Sequence, residues 1–81
     1  MSMIKIKLNK NDMLFLFTDG FADQFGGPKG KKYKYLPFQQ KLTSIANSSI
    51  SEQHKQMKQE FMNWKGEHEQ VDDVLVIGIQ I

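Results

Sequence analysis

Residues 12–20, DMLFLFTDG, set five consecutive apolar side chains, Met13 to Phe17, directly against an Asp-Gly pair. A short continuous apolar run bounded by turn residues predicts a central strand covered on both sides. The turn Asn9-Lys10-Asn11-Asp12 precedes it, and before that turn Ile4, Ile6 and Leu8 alternate with Lys5 and Lys7. The alternation predicts a half-buried strand near a sheet edge, where lysines discourage unwanted pairing. Together the two segments predict a hairpin.

Downstream of Gly20 the chain enters a glycine-rich loop, Phe25-Gly26-Gly27-Pro28-Lys29-Gly30, in which no helix survives. After Pro37 the spacing of Phe38, Leu42, Ile45 and Ala46 becomes helical. Asn47-Ser48-Ser49 interrupts it, and Ser49 or Ser51 can cap a second helix, with Ser49-x-x-Glu52 fitting a capping box. Along that helix Met57, Phe61 and Trp64 form one apolar face, read as core, and Gly66 terminates it. The closing run Val74–Ile81 is rich in β-branched residues and predicts another interior strand. The predicted order is β-β-α-α-β, an α+β fold with an antiparallel sheet and two helices, in one domain spanning residues 1–81.

Composition narrows the function. Eighty-one residues make one small domain with a thin core, and the absence of cysteine excludes disulfides and thiolate zinc sites. It also fits a cytoplasmic setting. The longest apolar run is far shorter than the ~20 residues of a bilayer span, so no membrane contact is expected of this segment. Net charge is +2 and every basic residue is lysine. Without arginine, the usual fork for phosphate and guanine, sequence-specific nucleic-acid binding is disfavoured.

The acids carry the chemistry. Asp19 lies just past the second strand, and Asp72 and Asp73 lie just before the last one. If these strands are antiparallel neighbours, both groups fall at one rim of the sheet, with Asp23 in reach from the loop. Two carboxylates ~4 Å apart repel by roughly 4 kcal/mol at an effective dielectric near 20. A divalent cation, a basic partner or protonation would offset that. An all-oxygen set suits Mg²⁺ or Mn²⁺ over Zn²⁺. Gly20 would allow a sharp turn and close backbone approach. The competing reading is plain: Asp-Gly is a common turn pair, and Asp72-Asp73 can be solvated loop.

The stretch DMLFLFTDGFADQFGG and the ending EQVDDVLVIGIQI resemble two segments of bacterial metal-dependent protein phosphatases of the 2C type, and most of all the stage II sporulation E family. The resemblance implies a partial phosphatase domain of α/β-sandwich type, in which Asp19 and Asp72 are metal ligands. It implies a supporting role for Gly20 and Asp73, and for Asp23 a place in an Asp-Gly-x-x-Asp pattern that in some relatives holds an additional metal. Many bacterial members carry Thr-Glu at this last position, and Leu75 stands where a small hydroxyl residue is common. The family's earlier motifs, with further acids and a metal-binding glycine carbonyl, would lie upstream. The chain is therefore expected to be about the last two-fifths of a whole domain, needing the missing N-terminal half to act. The whole domain would use two Mn²⁺ or Mg²⁺ ions and an activated water on a phosphoserine or phosphothreonine protein, such as an anti-sigma-factor antagonist. The isolated chain should be inactive, and its uncovered sheet face should favour a homodimer.

No Ser/His/Asp relay is required, so Ser44, Ser48, Ser49 and Ser51 read as helix-end residues, and His54 and His68 as surface or capping ones. Two rival functions remain. One is a non-catalytic binding or regulatory module on the same fold. The other is a nucleic-acid binder, in which Lys29, Lys31, Lys32 and Lys34 interleave with Tyr33 and Tyr35. The same lysines could instead guide a phosphoprotein substrate.

Overall fold

Strand β2 (Asp12–Phe17) is the centre of a three-stranded antiparallel sheet ordered β1-β2-β5, with β1 at Ser2–Lys7 and β5 at Val76–Gln80. A computed structural model describes all residues, 1–81. Between β2 and β5 come a small hairpin, β3 (Phe25–Gly26) and β4 (Lys31–Lys32), then helices α1 (Tyr35–Ile45) and α2 (Ile50–Lys65). The predicted order stands, with a hairpin added whose strands flank the turn of the glycine-rich loop.

Because strand side chains alternate, the register sorts residues onto two faces. Met13, Phe15 and Phe17 are buried, with Ile6, Ile4 and Val76 beside them in register. Phe38, Leu42 and Ile45 of α1 and Met57 and Phe61 of α2 complete the core on this side. The other face carries Met3, Lys5, Leu14, Leu16, Ile77 and Ile79 and has no layer over it. Leu14 and Leu16 are half-buried, and Ile77 and Ile79 are each 40% exposed.

Two expectations need correction here. Strand β2 is central, but it is covered on one side only. Strand β5 is an edge strand of this sheet, and α2 leaves an apolar groove beside it lined by Phe15, Phe21, Met57, Phe61, Val74 and Val76. An apolar run reports that a segment is fit for burial; it cannot report whether the covering layer lies within these residues.

The helices start and stop for local reasons. Helix α1 begins two residues before Pro37, which is tolerated because first-turn N–H groups have no intrahelical partner. Lys34, just before α1, has φ 82° and is the only non-glycine residue with positive φ. Such a conformation costs on the order of 1–3 kcal/mol and glycine would adopt it freely. Ser49 Oγ accepts the Glu52 N–H at 3.1 Å and so caps α2. The Glu52 carboxylate does not close a capping box; it accepts from the Gln56 amide one turn on. Gly66 ends α2 with φ 52°, its N–H donated to the Met62 carbonyl. Buried Gln53 ties the helices together, donating to the Ala46 and Ser48 carbonyls.

Candidate metal centre

The C-terminal end of β2 and the N-terminal end of β5 are hydrogen-bonded neighbours, with Phe17 opposite Val76. Thr18 extends that pairing past the strands. Its N–H donates to the Leu75 carbonyl at 3.0 Å, its hydroxyl accepts the Leu75 N–H at 3.1 Å, and the hydroxyl lies 3.3 Å from the Asp73 carbonyl.

Gly20 closes the corner. A Cβ built on it would lie 2.1 Å from the Asp73 carbonyl oxygen, so any side chain there would push the two segments apart. Phe21 then anchors the loop from below. It is 2% exposed, and its ring meets Tyr33, Phe38 and Phe61, each at 5.1 Å between centroids. Asp19 therefore sits between a strand end clipped by Thr18 and an aromatic side chain fixed in the core. The segment bearing Asp72 and Asp73 meets it across the Gly20 contact.

Asp19, Asp72 and Asp73 are exposed, and no lysine forms an ion pair with any of them. The Asp19 backbone carbonyl accepts the Asp23 N–H at 2.9 Å, one turn on. The Asp23 carboxylate is engaged by Lys32, 3.7 Å away, at the base of the hairpin. The donors at this corner are carboxylate and carbonyl oxygens, the chemistry a hard divalent cation takes. They make an incomplete set, since no group of three or more His, Cys, Asp or Glu residues is placed to hold a metal ion.

The remaining candidates lie elsewhere. Ser49 caps α2, and Ser44 donates back to the Lys41 carbonyl within α1. His68 stands 3.3 Å from the Gly27 carbonyl, and His54 is exposed on α2. Sequence reasoning passed over Thr18, Phe21 and Gln24, all of which shape the corner. Gln24 is 1% exposed; its side-chain amide donates to the Phe25 and Glu69 carbonyls, and its backbone carbonyl accepts the Trp64 indole N–H and the Tyr33 N–H. Only Phe21 left a signal in the sequence, as one of two phenylalanines in an otherwise mostly polar and glycine-rich loop.

Comparison with known proteins fits this geometry. The chain is similar to the SiaA-PP2C domain of Pseudomonas aeruginosa, with 30% sequence identity and a TM-score of 0.83 over 86% of its residues. It spans 28% of the length of that chain. No curated protein matches it. A family match covers every residue, 1–81, and the chain accordingly belongs to the Stage II sporulation protein E family.

Proposed function

We propose that this chain is the carboxyl-terminal part of a Mn²⁺- or Mg²⁺-dependent phosphatase domain acting on phosphoserine or phosphothreonine in a bacterial signalling protein, such as an anti-sigma-factor antagonist. The observation that carries the reading is the close packing of Gly20 on the Asp73 carbonyl, which holds the Asp19 and Asp72 segments together at one corner. Asp19 and Asp72 would hold the metal, Asp23 an additional one, and Gly20 and Asp73 would keep the corner in shape. A bound divalent ion lowers the pKa of its water and neutralises charge on a phosphoryl group. The chain's own part is to present two carboxylates from a rigid frame: Thr18 ties the strands, Phe21 fixes the loop, and exposure leaves both acids open to a phosphate ester.

Two carboxylates supply part of one site, so the chain by itself should bind such ions weakly, leaving them several waters, and should turn over no phosphopeptide. The open apolar face of the sheet is the surface that the rest of the parent domain would cover; in isolation, two copies would cover it by pairing. Light scattering should then show a mass that rises with concentration.

The metal reading is tested by adding Mn²⁺ and following backbone amide signals. Broadening should centre on residues 18–20 and 72–74, and Asp19→Asn should weaken it by about tenfold or more. Uniform or absent broadening would sink it. One observation favours a second reading, a non-catalytic module of the same fold: the absence of any three-ligand cluster. Metal-dependent phosphate release by the parent domain, lost in both Asp19→Asn and Asp72→Asn, would exclude that alternative.

A further inference from the structure

Lysines are concentrated at one place. Four of the six residues 29–34 are lysine, and no acid occurs between Asp23 and Glu52; outside this segment the chain holds two more acids than lysines. The hairpin that carries most of them is braced against the end of α2. Phe25 pairs with Lys32 and Gly26 with Lys31. The Gly27 N–H donates to the Trp64 carbonyl at 3.0 Å, and the Gly26 backbone packs so closely on that carbonyl that a Cβ would fall 2.0 Å from it. A solvated, mobile loop would need none of this.

The same hairpin is tied to the carboxylate corner. The Lys34 N–H donates to the Ala22 carbonyl at 2.7 Å, Lys32 bridges to Asp23, and the Asp23 N–H donates to the Asp19 carbonyl. Lys32 is thereby engaged, and it also lies 6.0 Å from the Phe25 ring centroid. Lys29, Lys31 and Lys34 have exposed side chains and no carboxylate within ion-pair distance. Lys34 holds the strained positive φ noted above, at a position where glycine would relieve the backbone and remove the charge.

From this we infer that the β3–β4 hairpin is a substrate-docking surface. Lys29, Lys31 and Lys34 bind acidic or phosphorylated side chains of a protein whose phosphoester lies at the Asp19–Asp72 corner. The inference rests on the phosphatase reading for what that corner does, but its recognition chemistry stands on the hairpin alone. Exposed lysines on a braced backbone are mobile point charges that attract several negative groups without demanding the planar geometry that arginine imposes, which suits a flexible acidic segment. Attraction between exposed charges is screened by salt, so the docking should weaken as ionic strength rises.

The test is a titration of the chain with a phosphoserine peptide flanked by glutamates, followed by amide shifts at low and at moderate salt. Shifts should map to residues 29–34 and 19–23, and the triple variant Lys29→Gln, Lys31→Gln, Lys34→Gln should raise Kd by about tenfold, three exposed pairs being lost. Lys34→Gly should raise Tm while weakening peptide binding, a combination that damaged folding cannot produce. Shifts elsewhere, a Kd unmoved by the triple variant, or tighter binding of an oligo-uridine than of the peptide would each overturn the inference. Mn²⁺ broadening is recorded on the same samples. Its loss with peptide docking intact removes the metal reading alone; loss of docking with Mn²⁺ binding intact removes the hairpin proposal alone.

Discussion

The two faces of the sheet are built from similar residues and have opposite fates. On one, Met13, Phe15 and Phe17 are at most 3% exposed beneath two helices. On the other, Leu14 and Leu16 stand half open between Ile77, Ile79 and Met3, which are 40–63% exposed. Apolar side chains dominate both faces, although the open one also carries Lys5; the covering layer is what differs. The comparison teaches that an apolar strand face such as Leu14, Leu16, Ile77 and Ile79 does not by itself bring a covering layer with it.

Substitutions can break that contrast. The largest effect should come from the covered face. Phe38→Ala, deep against Phe17 and Phe21, should cost about 3–5 kcal/mol, a large part of a typical 5–15 kcal/mol total. Urea unfolding measures it, and a cost under about 1 kcal/mol would mean the helical layer does not organise the sheet. Next is the rim where the faces meet. Gly20→Ala should cost about 1–3 kcal/mol by overpacking, with amide shifts at Asp73 and Val74 reporting the displaced strand end.

Tyr33 probes the covered side at its margin. Its hydroxyl donates to Glu60 at 2.8 Å, and Tyr33→Phe should cost about 1 kcal/mol. Burial first, then the hydrogen bond to Glu60 and its charge, push the phenol well above its ordinary value. The unfolded chain therefore releases this proton at lower pH than the folded one. Its contribution is complete below about pH 10 and is lost as pH rises through the raised pKa. Thermal melts should show wild type losing stability above that point and Tyr33→Phe losing less.

The smallest effect belongs to the open face. Ile79→Ser should change the stability of a monomer by less than about 0.5 kcal/mol. If two copies pair through this face, the same change should instead lower the mass seen by light scattering. A large, concentration-independent cost would show the face to be covered from within and would end the contrast.

The sequence made the main elements legible where pattern and local chemistry agree. Alternation marked β1, the apolar run marked β2, and Ser49 and Gly66 marked the ends of α2. The corner was legible because two apolar strands flanked by acids leave few pairings. The hairpin was not, because strands of two residues carry no period, and what holds them is Trp64, roughly forty positions away. Pro37 misled the start of α1, since proline marks a first turn without saying which residue opens it. The edge position of β5 was hidden because Val, Ile and Leu look alike whether or not a neighbour exists. Gln24 and Gln53 were invisible as core residues, for a buried amide is justified only by carbonyls that folding brings to it.

Trp64 is the sole tryptophan, and its indole N–H is bonded to the Gln24 carbonyl while its ring stacks edge-on to Tyr33, 5.5 Å between centroids. The chain thus carries an intrinsic fluorophore wired to the lysine-bearing arm. Unseating that arm would hydrate the indole and move its emission to the red, so each tug on the arm can be followed optically with no label attached.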